Sequence, residues 1–181
     1  MGNRLTFHKV KNIFEIPSVH TVKNYFQYLT DAYILFLVNA FSYKYKEQVK
    51  YPRKVYTIDN GFSAAVSPKF TEDRGAALEN LVFQELYRRG SDFAYYSTSD
   101  CEIDFVIHSN RQVTHLIQVT LSLEDPTTRK REIKALIKAS NHLHCKNLMI
   151  ITWDEESKEE IDGVSIDLIP IWRWLLEEEK P

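Results

Sequence analysis

Apolar positions recur at helical spacing in some stretches of the chain and at alternate residues in others, and this pattern divides it in two. In Ile16-Pro17-Ser18-Val19-His20-Thr21-Val22-Lys23-Asn24-Tyr25-Phe26-Gln27-Tyr28-Leu29, Ser18 stands as an N-cap and Val22, Phe26 and Leu29 fall at i, i+4 and i+7, which predicts an amphipathic helix. Ala32 to Ser42 reads as apolar and extended in part. Tyr43 to Lys54 reads as a basic, tyrosine-rich connection, and Val55-Tyr56-Thr57-Ile58 as a further strand. Asp59-Asn60-Gly61 is a turn signal and sets a boundary between a segment 1–60 and a unit 61–181.

Beyond that boundary, Thr71 to Arg89 runs without proline and stops at Gly90, with Leu78, Leu81, Val82 and Leu86 on one face, the pattern of a long half-buried helix. Phe93 to Thr98, Glu102 to His108 and Val113 to Thr120 read as strands. The last two are joined by the short polar Ser109-Asn110-Arg111-Gln112, as a hairpin requires. A helix capped by Thr127 or Thr128 then runs to about His142, and the almost wholly apolar Lys146 to Thr152 predicts a strand buried on both faces. Val164 to Leu168 is a short strand, and Trp172, Trp174, Leu175 and Leu176 a closing helix. Residues 71 to 152 therefore read helix, strand, strand, strand, helix, strand. The fold class is α/β, a mixed sheet flanked by helices, with a small N-terminal helix-and-strand segment.

Charge sharpens this division. The net charge of −2 conceals 10 Lys+Arg against 4 Asp+Glu in residues 1–70, a balance of +6, and 13 against 21 in residues 71–181, a balance of −8. Phosphate binding depends on local positive charge, so the N-terminal third is the candidate nucleic-acid surface. Thr21, Asn24 and Gln27 lie on the polar side of the first helix with Lys23 beside them, and Lys44 and Lys46 stand in the basic connection. These side chains are of the kinds that reach base edges and phosphates. A helix followed by two strands and a basic loop is how a winged helix ends, and also how a plain packing unit is built. The acidic residues gather in Asp154 to Asp162 and Glu177 to Glu179, read as solvated loop and tail. Two cysteines, Cys101 and Cys145, suit neither a disulfide framework nor a paired zinc site, and the longest apolar run is too short for a membrane span. A cytoplasmic, membrane-free protein is expected.

Candidate chemistry lies in three places. Glu79 sits mid-helix near the apolar face; Asp104 lies within Glu102-Ile103-Asp104-Phe105-Val106-Ile107; Gln118 and Thr120 share one face of Leu116-Ile117-Gln118-Val119-Thr120. Pairing the two strands brings Asp104 beside Gln118 and Thr120. A carboxylate and an amide oxygen on adjacent strands make an oxygen-rich pocket for Mg²⁺ or Mn²⁺, with Asp104 and Gln118 as ligands and Glu79 orienting the water or completing the metal shell. A residual polar cluster satisfied by hydrogen bonds is the plain alternative.

These residues, with Ser18-Val19-His20-Thr21-Val22, Lys54-Val55-Tyr56-Thr57-Ile58-Asp59-Asn60-Gly61 and Thr128-Arg129-Lys130-Arg131-Glu132, resemble the domain of unknown function found C-terminal to AAA-type ATPase modules in bacteria and archaea. The resemblance covers most of the chain. It implies part of a winged helix followed by a restriction-endonuclease-like domain with an αβββαβ core, similar to PD-(D/E)XK nucleases. Position by position, Glu79 matches the helix glutamate, Asp104 the aspartate, Gln118 the acidic position and Thr120 the lysine. Thr120 lacks the cationic head that stabilises charge on an attacking hydroxide and the phosphorane, so the pattern is degenerate there. Arg129, Lys130 or Lys134 of the next helix are candidates to replace that charge.

Three functions remain open: a DNA-associated accessory domain that cuts poorly or not at all, an active Mg²⁺- or Mn²⁺-dependent nuclease with a relocated basic residue, and a protein-interaction module offering Tyr43, Tyr45 and Tyr51. His142-Leu143-His144-Cys145 has no second ligand pair for zinc, and the absence of a Gly-x-x-x-x-Gly-Lys-Ser/Thr motif leaves this stretch without a P-loop. The Met1-Gly2 start so near the first predicted helix suggests a fragment of a longer protein whose motor lies elsewhere.

Overall fold

A computed structural model describes residues 4–66, 74–161 and 163–177, without the side chains of Tyr45 and Val66. The Met1-Gly2 start, the predicted helix start at Thr71, Asp162, Glu178, Glu179 and the Tyr45 ring lie outside the described residues. In chain order the described residues form β1 (Arg4–Leu5), α1 (Phe7–Ile13), α2 (Val19–Asp31), β2 (Leu35–Val38), α3 (Tyr45–Lys50), β3 (Arg53–Thr57) and α4 (Asn60–Val66). Then follow α5 (Arg74–Arg88), β4 (Phe93–Ser97), β5 (Glu102–Ser109), β6 (Gln112–Val119), α6 (Pro126–Leu143), β7 (Leu148–Thr152), β8 (Ser157–Ile161), β9 (Val164–Pro170) and α7 (Ile171–Leu176).

The strands make two sheets. The small one is antiparallel in the order β1-β3-β2, and the large one is mixed, in the order β4-β5-β6-β7-β9-β8. The fold is α/β, with a six-stranded sheet between helices. One face of it carries α6, whose Ile133, Leu136 and Ala139 pack with Val106, Leu116 and Ile150. The other face carries α5 and α7, and there Phe36, Val38 and Tyr56 of the small sheet join Val82, Phe83, Leu86, Ile117 and Trp174 in one core. Tyr56 stacks on Phe83 with ring centroids 4.5 Å apart and planes 3° from parallel. An isolated parallel bridge between Ala40 and Tyr95 ties the two sheets at their edges.

Most predicted elements stand within a residue or two of their places. The Ser18 hydroxyl accepts the Thr21 N–H at 3.0 Å and starts α2, and Gly90 takes φ +66° after α5, a conformation that costs glycine little. The β5–β6 hairpin turns at Asn110 and Arg111, both at positive φ, the geometry of the tight turns that suit strand twist. β6, β7 and β9 run parallel, with β7 between them.

Five readings are corrected. The turn signal Asp59-Asn60-Gly61 opens a helix: the Asp59 carboxylate accepts the Phe62 N–H at 2.5 Å and so acts as a cap for α4. Asp125, rather than Thr127 or Thr128, caps α6, accepting the Thr128 N–H at 2.8 Å with Pro126 in the first turn. The basic connection holds the short α3. The acidic stretch contains β8, which pairs antiparallel with β9 at the sheet edge, where charged side chains are tolerated because only one side is paired. Leu29, expected on the apolar face of α2, is exposed, and Val22 is the residue of that helix that is buried.

Candidate functional site

The centre of the site is a lysine. Lys54 lies in β3, the middle strand of the small sheet, flanked by Arg4 of β1 and Val38 of β2, so its backbone is fixed from both sides. Alternation along β3 puts Lys54 and Tyr56 on the face turned to α5 and to the start of β5. With 2% of its side chain exposed, Lys54 reaches Asp104 Oδ1 at 2.7 Å, Glu79 Oε1 at 3.0 Å and Glu102 Oε1 at 3.4 Å. Glu79 Oε1 also accepts the Tyr56 hydroxyl at 2.8 Å, and Glu102 is held on its other oxygen by Arg4 at 2.9 Å. Burial by itself would lower the Lys54 pKa, but Asp104, Glu79 and Glu102 outweigh it and hold it above the usual lysine value. The ammonium is therefore charged at neutral pH.

Burial, with Asp104 next to it, pushes the Glu79 carboxyl above the usual carboxylate range, against the pull of Lys54 and the Tyr56 hydroxyl. Burial and then the Glu79 charge hold the Tyr56 hydroxyl well above the usual phenol range, so it remains a donor. Asn80, next to Glu79 on α5, fastens the same junction: its carboxamide accepts the Thr57 N–H at 2.9 Å and donates to the Thr57 carbonyl at 3.2 Å and to Asn60 Oδ1 at 2.9 Å. The residues that place Lys54 and those that receive it are thus clamped together on both sides of the charge cluster.

Gln118 makes a second, separate set of contacts. One step beyond the Phe105–Ile117 pair of the β5–β6 ladder, its side-chain oxygen accepts the Asp104 N–H at 2.8 Å, while its amide group donates to Glu132 Oε2 at 2.6 Å and to the Glu102 carbonyl at 3.1 Å. Glu132, on the first turns of α6, also receives Arg131 at 2.6 Å. The second Asp104 oxygen accepts the Val119 N–H at 3.1 Å. Thr120 donates to the Ser122 carbonyl at 3.3 Å.

Of the residues expected to converge, Glu79, Asp104, Gln118 and Thr120 line one open groove of about 760 Å³ with Glu102, Glu132 and Lys134. Asp104 and Glu79 meet on Lys54. Gln118 meets Asp104 through the backbone N–H, and its amide is spent on Glu132 and Glu102. Asp104 Oδ1 and Glu79 Oε1 face an ammonium, and Asp104 Oδ2 and Gln118 Oε1 face N–H donors. Among the described residues no three His, Cys, Asp or Glu side chains are disposed to hold a metal ion. Of the basic side chains expected to replace the missing lysine, Arg129 is paired with Glu159 and Lys134 lines the groove wall.

The candidate nucleic-acid residues lie on the N-terminal segment. Lys23, Lys44 and Lys46 are exposed; Thr21 shares a 2.9 Å hydrogen bond with Ser18, Asn24 is within 3.5 Å of His20, and Gln27 donates to Asp31 at 2.7 Å. No helix among the described residues is long and apolar enough to cross a membrane.

Residues 74–174, more than half of the chain, match the family model of DUF4143, a domain of unknown function. The chain belongs to the DUF4143 family. Residues 1–73 match a second family model, DUF8612, also a domain of unknown function. Similar proteins include an uncharacterized protein of Methanocaldococcus jannaschii, 37% identical over 97% of this chain and 41% of its own length. Another, from Haemophilus influenzae, is 28% identical over 98% of the chain and 41% of its own length. The chain thus spans about two fifths of the length of these curated relatives. No solved structure matches it. The boundary between the two family models runs through the charge cluster: Lys54, Tyr56 and Arg4 come from the DUF8612 part, and Glu79, Glu102 and Asp104 from the DUF4143 part. Sequence reasoning gave Lys54 no place in the site because it closes a stretch that reads as a basic, tyrosine-rich connection. The signal that finds it is its place two residues before the apolar-facing Tyr56.

Proposed function

We propose that this chain is the C-terminal, DNA-associated accessory part of an AAA-type ATPase, with a PD-(D/E)XK-like fold whose site is degenerate and binds nucleic acid rather than cutting it. The DUF4143 family is commonly linked to an AAA ATPase module, which supports the ATPase as its partner in the same polypeptide. The order α5-β4-β5-β6-α6-β7 and the placing of Glu79, Asp104, Gln118 and Thr120 along one groove support kinship with the nuclease fold. The order β1-α1-α2-β2-α3-β3, with β3 between β1 and β2 in the small sheet, supports a winged-helix reading of the N-terminal segment, α3 standing in the connection between its last two strands.

The observation that carries the proposal is the fate of the catalytic pattern. Thr120 offers a hydroxyl bonded to Ser122 where the pattern has a cation, and the Gln118 amide is committed to Glu132. The charge of +6 over residues 1–70, with Lys23, Lys44 and Lys46 exposed, favours a phosphate backbone as ligand over an acidic groove floor. Fluorescence anisotropy with duplex DNA at about 50 mM and 200 mM salt is expected to give binding that weakens steeply with salt. Lys23→Ala combined with Lys44→Ala is expected to reduce the slope of log K against log salt by roughly 1 to 2. Failure to bind DNA at low salt would overturn the proposal.

A further inference from the structure

We propose that the Lys54 ammonium is the built-in cation of the carboxylate pocket, filling from the N-terminal segment the place where a related fold would hold a divalent metal, so that the pocket is closed to metal. The inference rests on the proposed kinship with the nuclease fold for the place of the metal, is independent of DNA binding, and is argued from geometry. Lys54 Nζ contacts one oxygen from each of three carboxylates, at 2.7, 3.0 and 3.4 Å, and the three belong to different positions on α5 and β5. The first two are hydrogen bonds and the third an ion pair. Magnesium requires oxygens at about 2.0–2.1 Å in near-octahedral order. An ion at that distance from Asp104 Oδ1 and Glu79 Oε1 would stand against the ammonium, and two positive charges would share one buried focus.

The rest of the pocket is also built for donors. The Tyr56 hydroxyl donates to Glu79, the Val119 N–H to Asp104 Oδ2, the Asp104 N–H to Gln118 Oε1, and Arg4 to Glu102. These donors hold Asp104 Oδ2 and Glu102 Oε2 from other sides, so the place left for a cation is the one that Lys54 Nζ fills against Asp104 Oδ1, Glu79 Oε1 and Glu102 Oε1. Nor is Lys54 placed to swing aside. It sits on the central strand of β1-β3-β2 with 2% of its side chain exposed, and its ammonium lies 5.8 Å from the centre of the Tyr95 ring. The consequence is that residues 1–73 supply the charge that makes the acidic floor of residues 74–174 stable without an ion.

Mn²⁺ binding followed by electron paramagnetic resonance tests this with the full chain. The unsubstituted protein and Asp104→Asn are expected to take up Mn²⁺ equally weakly, as surface carboxylates do. Lys54→Met, which keeps the length of the stem and removes the charge, is expected to bind Mn²⁺ roughly tenfold or more tightly than the unsubstituted protein. That gain is expected to vanish in Lys54→Met combined with Asp104→Asn. The proposal is overturned by Mn²⁺ binding to the unsubstituted protein that Asp104→Asn abolishes, or by a folded Lys54→Met protein that binds no more tightly. Should Lys54→Met fail to fold, the comparison of the unsubstituted protein with Asp104→Asn decides alone.

Discussion

Lys54→Met is expected to destabilise the protein by about 3–5 kcal/mol, the cost of removing one partner from a buried ionic cluster and leaving the others uncompensated. Three carboxylates lose their shared cation at once. Glu102 keeps Arg4 and is partly exposed, whereas Glu79 and Asp104 are left facing each other with 16% and 19% of their side chains exposed. Methionine fills nearly the same volume, so little of the loss is cavity formation. For a chain of this size the loss corresponds to a fall in Tm of roughly 6–20 °C. Urea denaturation with circular dichroism measures it, and the well-exposed Lys158–Asp167 pair supplies the contrast, since a surface pair contributes about 0–1 kcal/mol. A Lys54→Met midpoint indistinguishable from that of the unsubstituted protein would mean that the ammonium carries no stabilising charge.

The second large effect is expected at Gln118. Replacing it by leucine leaves the Asp104 N–H and the Glu102 carbonyl without their side-chain partner, and it turns an apolar group towards Glu132 Oε2, all where Gln118 is 4% exposed. Unpaired buried polar groups cost about 1–3 kcal/mol each, and part of the loss is recovered by water entering from the groove, so a total of about 3 kcal/mol is expected. Hydrogen exchange of the Asp104 amide supplies a local reading. Its protection is expected to fall in Gln118→Leu while that of amides in β7 falls only with global stability. Unchanged protection at Asp104 together with a small stability loss would show that the amide bridge does not hold the start of β5.

Both positions show how far residue patterns reach. Periodicity found α2, α5, α6 and the strands β4 to β7, because each has an apolar face that its neighbours demand. It also placed Glu79, Asp104, Gln118 and Thr120 along one groove, since strand alternation and the angle of Glu79 on its helix are local properties. It did not find α1, a short helix without a buried residue, or β8, whose side chains are mostly exposed. Nor did it find what Asp104 and Gln118 do there. Lys54 is separated from Glu79 by 25 residues and from Asp104 by 50, and burial of a lysine is favourable only when distant acids arrive together, which no window of the sequence records. From the sequence Gln118 reads as a metal ligand in place of an acid, and in the structure its amide donates to Glu132, a partner on α6 that the strand pattern does not record.

If the carboxylate pocket is organised around Lys54, the lysine and Asp104 act as one unit rather than as independent contributors. A double-mutant cycle of Lys54→Met and Asp104→Asn, measured by urea denaturation at neutral pH, reads that directly. A coupling of about 1.5–3 kcal/mol is expected, with the double variant much less impaired than the two single losses would give together. Losses that add to within about 0.5 kcal/mol would contradict the account.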